Sequence, residues 1–410
     1  MKTDSEQSRA VSRFLRYVTI DTQSSETSGT HPSSPGQTRF AHQLADELRG
    51  LGARDVFLSD DAYVYATIPA SAGRETEPAL GFLAHMDTSP DASGANVRPQ
   101  CIRYAGGVIP LGESGLTLDP AAFPELDRLV GKELIVTDGT TLLGGDDKLG
   151  LAILMTLAET LLAADAPAHR EIRLCFTPDE EIGEGTHGFD PVRFGAKTAY
   201  TVDGGPIAEV ENANFNAAVA TVTFRGVSVH PGYAKDVMVN ALKLAAAFVC
   251  ALPPDESPER TTGRDGFFHP NALTGSVAGA TLTLLIRDHD TARFADRKRL
   301  LERLVAEVNA AHSAGTATLD IRDQYGNMED GIAKVPELVD AATEALRSVG
   351  VEPRLVAIRG GTDGAHLTQM GIPCPNLGTS ARNFHGEHEY AVVEEIDQMT
   401  RVVLALATRP

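Results

Sequence analysis

The sequence predicts an α/β fold with a largely parallel central sheet and a smaller inserted domain. Short apolar runs typical of buried strands alternate with helical repeats in the first half of the chain. That pattern changes between residues 213 and 326, and the first pattern then returns. Alternating strands and helices favour a parallel sheet, because a parallel connection needs a crossover segment that is usually a helix.

The first part of the chain contains two amphipathic helices, four apolar strands and a third helix. Residues 6–18, 38–50 and 149–161 have apolar positions at helical spacing. Four short apolar runs bounded by turn residues predict strands buried on both faces. These runs cover residues 79–84, 133–136, 172–177 and 199–202. The Ser/Gly/Pro-rich stretch 24–37 is predicted to be a solvent loop, with His31 as a solvated side chain.

The second pattern predicts a small domain of its own. Strand patterns at 217–224, 281–286 and 318–321 alternate with helical patterns at 239–252 and 291–312, as in an α+β, ferredoxin-like unit. A helix at 335–349, a strand at 354–358 and a helix from Asp363 then resume the first style. We therefore predict a discontinuous first domain, residues 1–212 and 327–410, and an inserted domain, residues 213–326.

Composition excludes several functional classes. The 410 residues carry a net charge of −20, which repels nucleic acid and acidic membranes, so neither is an expected partner. The sequence contains no apolar run long enough for a membrane span and no secretory signal pattern at its start, which predicts a cytoplasmic location. The four cysteines are widely separated, so we expect neither a disulfide framework nor a zinc-thiolate site.

Five separated segments present ligands for zinc. They contain His85, Asp146, the pair Glu180 and Glu181, Asp203 and His385. A pair of zinc ions needs about four coordination positions each, with one group shared, and accepts imidazole nitrogen and carboxylate oxygen. Most of these residues directly follow a predicted strand, and open α/β sheets place ligand sites at the carboxyl ends of their strands. The sequence therefore predicts one two-metal hydrolytic site.

Two residues near the predicted ligands need separate interpretation. Asp87 lies two residues after His85 on an extended stretch, so its carboxylate can orient the imidazole and raise its basicity. Asp146 opens a predicted helix, where it would be either a bridging metal ligand using both oxygens or a simple N-cap. The two roles are compatible.

Ten motifs in order make the chain resemble the peptidase T family of tripeptide aminopeptidases, within the di-zinc aminoacylase and carboxypeptidase superfamily. The resemblance covers nearly the whole chain. Each motif alone is weak, but the ordered set is specific. The motifs are residues 21–24 (DTQS), 81–91 (GFLAHMDTSPD), 142–148 (LLGGDDK), 176–181 (FTPDEE), 200–205 (YTVDGG), 229–232 (VHPG), 237–241 (VMVNA), 286–288 (IRD), 359–364 (RGGTDG) and 383–385 (NFH).

The resemblance implies a zinc-peptidase-like catalytic domain that holds two Zn²⁺ per subunit, with Asp146 bridging. It assigns Asp203 to the zinc of His85, and Glu181 to the zinc of His385. It also implies that Glu180 is the general base and acid, and that a cis peptide bond follows Asp146. The chemistry needs both glutamate roles, because a carboxylate bound to metal does not easily carry protons.

The inserted domain offers uncharged and cationic side chains for the substrate. His230, Asn240 and Arg287 suit polarisation of the scissile carbonyl and binding of a substrate carboxylate. Arg359, which follows the inserted domain in the chain, is a second candidate for that carboxylate. Relatives in the superfamily present the corresponding histidine and asparagine to a neighbouring subunit. The resemblance thus implies a homodimer formed through the inserted domain, which would also act as a lid.

The predicted function is zinc-dependent release of the N-terminal residue from tripeptides, by a metal-bridging hydroxide with Glu180 as general base. Small peptides are the expected partners. Two alternatives stay open at this point. One is an N-acyl amino acid deacylase or dipeptidase on the same di-zinc scaffold, because metal ligands alone do not select the amide. The other is a non-catalytic metal-binding dimer, which the presence of Asp87 and Glu180 beside the ligands disfavours.

Overall fold

The computed structural model describes residues 8–312 and 316–409. Residues 6 and 7 of the first predicted helix lie outside this range. The helices are α1 (Arg9–Tyr17), α2 (Pro35–Leu51), α3 (Gly145–Leu162), α4 (Pro191–Phe194), α5 (Ala241–Cys250), α6 (Thr291–Ala311), α7 (Glu329–Ile332), α8 (Pro336–Ser348), α9 (Asp363–Gln369) and α10 (Val393–Thr408). The strands are β1 (Arg54–Leu58), β2 (Val64–Ile68), β3 (Leu80–His85), β4 (Gln100–Arg103), β5 (Ile109–Pro110), β6 (Thr117–Leu118), β7 (Glu133–Val136), β8 (Ile172–Thr177), β9 (Ala199–Gly204), β10 (Glu209–Ala213), β11 (Asn216–Arg225), β12 (Phe267–Gly275), β13 (Gly279–Asp288), β14 (Ala317–Tyr325), β15 (Arg354–Ala357), β16 (Asn376–Gly378), β17 (Ala381–Arg382) and β18 (Tyr390–Val392). Short 3₁₀ helices cover Pro124–Leu129, Glu180–Ile182 and Pro231–Tyr233.

Two compact units make up the chain. The first contains Met1–Asn212, Asp330–Val356 and Thr362–Pro410, and the second contains Ala213–Glu329 and Ala357–Gly361. The predicted boundaries assigned Ala357–Gly361 to the first domain, whereas the structure places this segment in the second unit.

An eight-stranded sheet forms the centre of the first unit, in the order β1-β2-β8-β3-β9-β16-β10-β15. The four central strands β8, β3, β9 and β16 pair in parallel, and antiparallel pairs lie outside them. The α/β fold with a parallel sheet centre is confirmed. The register of β3 and β8 places His85 opposite Thr177, so both strands end at the same edge. The residues that follow them are thereby brought together.

Helix α3 is the central helix of this unit. It contacts β3 and β9 of the sheet, and also α1 and α10. Because it is covered on several sides, its apolar residues are buried all round, including Leu149, Leu151, Ile153 and Leu154. Burial of side chains of this size stabilises the fold by roughly 1.5–3 kcal/mol each. The first turn of α3 is therefore attached to a rigid support.

The predicted strand at 133–136 forms, but not in the central sheet. As β7 it belongs to a separate four-stranded sheet, in the order β17-β18-β7-β4, in which it pairs antiparallel with both neighbours. A short apolar run indicates that a strand is buried, but it does not indicate which sheet the strand joins. For this reason the sequence pattern grouped residues 133–136 with the other buried strands.

The second unit is a four-stranded antiparallel sheet with two long helices. The strands are ordered β12-β13-β11-β14, and their chain order with α5 and α6 is β-α-β-β-α-β. Apolar residues of the sheet and of both helices share one core, including Val222, Leu282, Phe248 and Leu301. The sequence missed β12, because Pro270 and a mostly exposed run weaken its strand pattern.

In the residues that the structure describes, no helix is both long and apolar enough to cross a membrane. The four cysteines are free, with Cys175 and Cys374 buried and Cys101 and Cys250 exposed.

Candidate metal centre

The predicted ligands of the first unit meet at the carboxyl edge of the central strands. His85 is the last residue of β3, and Asp203 lies near the end of β9. Glu181 lies in the 3₁₀ helix that follows β8. Asp146 is the second residue of α3, at a kink where its backbone is not helical, and His385 lies between β17 and β18. Five residues remote in sequence therefore share one location.

The two carboxylate oxygens of Asp146 face two different ligand groups. Its Oδ1 lies 2.8 Å from His85 Nε2, and Oδ1 of Asp203 lies 3.2 Å from the same nitrogen. Its Oδ2 lies 3.4 Å from His385 Nε2, and Oε2 of Glu181 lies 2.9 Å from that nitrogen. This is the arrangement expected of a carboxylate shared between two cations, with one histidine and one further carboxylate on each side.

Asp87 connects the histidine to the acidic turn. Its Oδ1 lies 3.2 Å from His85 Nδ1, and the carboxylate is fully buried. It also accepts the backbone N–H groups of Glu180 and Glu181, each at 3.1 Å. One carboxylate therefore lies beside the imidazole of His85 and fixes the backbone of both glutamates.

Glu389 organises the loop that carries Asp146. It is 1% exposed, and its carboxylate accepts four consecutive backbone N–H groups, from Leu143, Gly144, Gly145 and Asp146, at 2.7–3.2 Å. The Asp146–Asp147 peptide bond in this loop is cis. Sequence reasoning missed Glu389, because its partners are backbone N–H groups.

Two further polar residues hold the main chain around the centre. Asp147 is buried and accepts the backbone N–H groups of His85 at 3.2 Å and Gly150 at 3.0 Å. Asn376 accepts the N–H of Asp203 at 3.1 Å through Oδ1, and its amide donates to Glu211 at 2.7 Å. The ligands are thus set on backbone that is itself fixed by side chains.

Electrostatics at the centre reflect crowded carboxylates. Burial raises the pKa of both Glu181 and Asp203 to about 8, and the negative charge of Asp146 adds to the rise in each case. Burial lowers the pKa of His85, but Asp203, Asp146 and Asp87 reverse this and hold it well above its usual value. Hydrogen bonding to Asp146 and Glu181 raises the pKa of His385 to about 11. Such a set of acids is stable in ionised form only beside cations.

The donor chemistry fits a pair of divalent cations. His85, Asp146 and Glu181 have ligand atoms within 4.8 Å of one another. His85, Asp147 and Asp203 meet the same criterion, but the Asp147 carboxylate already accepts two backbone N–H groups. Within the described part of the chain, Glu181 Oε1 is buried with no hydrogen-bond partner, which is costly unless a cation binds it. Imidazole and carboxylate are the ligands that zinc prefers in catalytic sites.

Glu180 points into the same cluster without a close ion pair. Its Oε2 lies 4.0 Å from His85 Nε2, and the side chain is 15% exposed. Burial, followed by the charge of Asp203, raises the pKa of Glu180 well above its ordinary value. A raised pKa makes this carboxylate a stronger proton acceptor than an ordinary glutamate, which suits it to take up a proton.

The structure places His230, Asn240, Arg287 and Arg359 in the second unit. His230 is exposed, and its Nδ1 accepts the N–H of Gly232 at 3.1 Å. Asn240 is the N-cap of α5, where its Oδ1 accepts the N–H groups of Leu242 and Lys243. The cap explains the position of this asparagine structurally and leaves its amide nitrogen for other contacts.

Both arginines are largely engaged within the second unit. Arg287 donates through Nη1 to the carbonyls of Ala218 and Ile286, and through Nη2 to Gln324. Arg359 lies against the rings of Phe215 and Phe267, at 5.1 and 5.4 Å, and donates to three oxygens of the segment 261–265. These contacts explain why Arg359 belongs to the second unit and not to the first domain, to which the sequence assigned it.

Known proteins are similar to this chain in sequence and in fold. Residues 138–409 match the peptidase family M20/M25/M40. Peptidase T of Parabacteroides distasonis is 49% identical over 96% of this chain and 97% of its own, and peptidase T of an Exiguobacterium species is 47% identical over 97% of each. The crystal structure of aminopeptidase PepT from Bacillus cereus superposes with a TM-score of 0.76 at 23% identity, covering 98% of each chain.

Two more solved structures extend the comparison. A tripeptidase from Staphylococcus aureus has a TM-score of 0.76 at 20% identity, over 98% of each chain. A dinuclear metal-binding peptidase from Bacillus subtilis, of the M20 family, has a TM-score of 0.66 at 14% identity, over 98% of this chain and 96% of its own. At these identities the superpositions show the fold alone.

The chain belongs to the M20/M25/M40 family of peptidases. Within that family, the sequence relatives described above are peptidase T proteins matched along nearly their full length. These matches confirm the resemblance drawn from the ten motifs and the prediction of an enzyme.

Proposed function

We propose that this protein is a zinc-dependent tripeptide aminopeptidase. The observation that carries the proposal is the Asp146 carboxylate, whose two oxygens face His85 with Asp203 on one side and His385 with Glu181 on the other. The nearly full-length similarity to peptidase T supports the substrate class.

The residues divide into ligands and a proton carrier. His85, Asp146 and Asp203 would hold one zinc ion, and Asp146, Glu181 and His385 the other. Bound zinc supplies Lewis-acid polarisation of the peptide carbonyl and lowers the pKa of water. Glu180 is left outside both ligand groups, which frees its carboxylate for proton transfer.

Glu180 carries the proton between the two halves of the reaction. Its carboxylate takes a proton from the attacking water and delivers it to the nitrogen of the departing dipeptide, when the bond between the first and second substrate residues breaks. Asp87 fixes the backbone nitrogen of Glu180 and so limits the positions of the carboxylate. Placement of a base within reach of the reacting atoms contributes about 10²–10⁴-fold to the rate.

The assignment of substrate contacts to His230, Asn240, Arg287 and Arg359 belongs to the same proposal. His230 would stabilise the developing oxyanion, and the arginines would bind the C-terminal carboxylate of the tripeptide. A homodimer formed through the second unit is also proposed. It is supported by exposed apolar side chains in that unit, among them Val227, Tyr233 and Val237. We place the enzyme in the cytoplasm on its sequence pattern.

The decisive experiment compares peptides that differ only at their ends. Purified protein loaded with zinc is given Ala-Ala-Ala, its N-acetylated form, Ala-Ala and Ala-Ala-Ala-Ala, and products are separated by chromatography. Release of free alanine from the unblocked tripeptide, with little cleavage of the others, supports the proposal. Preferred hydrolysis of the acetylated peptide would favour the deacylase, and preferred hydrolysis of the dipeptide would favour the dipeptidase.

A further inference from the structure

Asp179, the residue immediately before Glu180 and Glu181, is held by more hydrogen bonds than either glutamate. Asp179 is fully buried and adopts a left-handed backbone conformation, with φ 55°. Its carboxylate accepts the backbone N–H of Ser33 at 2.7 Å, the Ser33 hydroxyl, and the Gln37 amide at 2.6 Å. His31 Nδ1 lies 2.9 Å from the same carboxylate. The sequence predicted a solvent loop at residues 24–37, and residues 26–30 are indeed exposed, but Ser33 and Gln37 are buried and α2 begins at Pro35. The prediction that His31 is a solvated side chain was wrong, because its side chain is 12% exposed.

Gln37 forms a reciprocal pair with Asp179. Its amide nitrogen donates to the Asp179 carboxylate, while its Oε1 accepts the backbone N–H of Asp179 at 3.0 Å. The backbone carbonyl of Asp179 accepts the N–H of Glu184 at 2.9 Å. Every polar group of Asp179 is therefore engaged, which determines both its position and its orientation.

The partners of Asp179 are themselves fixed. Gln37 is fully buried in the first turn of α2, and the Ser33 hydroxyl accepts the backbone N–H of Ser25 at 2.9 Å. His31 Nε2 lies 3.2 Å from the hydroxyl of Tyr63, which is buried. We call His31, Ser33 and Gln37 the Asp179 cradle.

We propose that the Asp179 cradle positions Glu180 for proton transfer. Glu180 follows Asp179 directly, and its backbone N–H is bound to Asp87. The acidic turn is thus fixed at two points. The cradle binds Asp179, and Asp87 binds the backbone N–H groups of Glu180 and Glu181. With the cradle weakened, the turn keeps only the Asp87 contacts, and the Glu180 carboxylate samples positions away from the reacting atoms. Because positional errors of about 1 Å cost roughly 10²-fold in rate, the effect is expected on kcat.

This inference rests on the proposed role of Glu180, and the experiment separates the two. The variants are Ser33→Ala, Ser33→Thr, Gln37→Met and Glu180→Ala. Ser34→Ala serves as matched control, because Ser34 is adjacent and its hydroxyl contacts the Gln37 amide at 3.3 Å but has no contact with Asp179. Zinc content, Tm, kcat and KM are measured for each variant. A double variant, Gln37→Met with Glu180→Ala, completes a cycle.

We expect Ser33→Ala and Gln37→Met to lower kcat about 10–100-fold, with KM changed by less than about threefold and zinc content unchanged. Ser33→Thr should restore activity, and Ser34→Ala should lower kcat by less than Ser33→Ala does, because Ser34 contacts Gln37 but not Asp179. In the Glu180→Ala background, Gln37→Met should cause no further loss, because the cradle acts through Glu180.

Three results would overturn the inference. They are wild-type kcat in Ser33→Ala and Gln37→Met, an activity loss that follows zinc loss, and an undiminished effect of Gln37→Met without Glu180. If Gln37→Met does not fold, the two Ser33 variants decide the question by themselves. High activity in Glu180→Ala would instead refute the proposed base, whatever the cradle variants do.

Discussion

The carboxylate of Asp87 accepts the backbone N–H of Glu180 at 3.1 Å, although the two residues lie 93 positions apart in the chain. The same carboxylate faces Nδ1 of His85 at 3.2 Å. The proposed ligand histidine and the proposed proton carrier are thereby held by one side chain. In the proposed mechanism, Asp87 would couple the geometry of metal binding to the geometry of proton transfer.

Replacement of Glu180 by alanine should separate metal binding from turnover. Because Glu180 lies outside both ligand groups, Glu180→Ala should retain the metal content of the wild type, while kcat falls by about 10²–10⁴-fold. Metal analysis and steady-state kinetics on the same preparation check this. Near-normal turnover would refute the base assignment, and loss of metal would make Glu180 a ligand.

Replacement of Asp87 by asparagine should affect both functions. In Asp87→Asn the new side chain would keep one oxygen for the backbone N–H groups but would lose the charge that supports His85. We expect metal affinity to fall by about 10–100-fold, with a lower kcat even at saturating zinc. Competition with a chromophoric chelator measures the affinity. If affinity is unchanged while kcat falls, Asp87 acts on the glutamate turn alone.

Glu389 should be a residue on which the stability of the centre depends. Glu389→Ala leaves four buried backbone N–H groups without their acceptor, each of which costs about 1–3 kcal/mol when unsatisfied. We expect urea unfolding to show a loss of about 3 kcal/mol or more, together with weaker metal binding. Glu387→Ala, two residues away, is the control. Equal stability of the two variants would contradict the role of Glu389.

Arg287 can be tested with substrates that differ only at the carboxyl end. If it binds the substrate carboxylate, Arg287→Ala should raise KM for a free tripeptide, and leave KM for the amidated peptide unchanged. The same variant should be less stable by about 1–3 kcal/mol, because the arginine donates to two backbone carbonyls within its unit. A parallel rise in KM for both peptides would leave Arg287 with a structural role only.

Glu211 gives a pH dependence that can be worked out in sign. Burial raises the pKa of Glu211 from 4.5 to about 7, so the folded state binds its proton more tightly than the unfolded state. The contribution to stability is therefore present below pH 4.5 and is lost as the pH rises towards 7. Glu211→Gln stays neutral, so it should be more stable than the wild type at pH 8 by about 1 kcal/mol or more. A difference in Tm that does not change between pH 4.5 and 8 would contradict this.

The convergence of the proposed ligands was predictable because their sequence context is local. Each of His85, Asp146, Glu181 and Asp203 lies beside a strand or helix boundary, and the parallel register of β3, β8 and β9 brings those boundaries together. Helix positions were largely readable from periodicity, and the element order of the second unit was predicted except for β12. The fold class follows from the same patterns.

The supporting contacts were not predictable from the same patterns. His31, Ser33 and Gln37 occur in a run of small and polar residues, whose composition is that of an exposed loop. Their burial depends on Asp179, which is remote in sequence and itself looks like part of an exposed acidic turn. The partner of Glu389 is backbone, which leaves no pattern in the side chains. Long-range polar pairs of this kind are specified by tertiary structure alone.

The order of residues along the chain has a consequence for synthesis. His85, Asp146, Glu181 and Asp203 leave the ribosome before the second unit, whereas His385 and Glu389 follow it. A polypeptide interrupted in its last part would thus contain most of the acidic ligands but neither the second histidine nor the acceptor for the loop of Asp146. Incomplete translation products are therefore expected to have no peptidase activity.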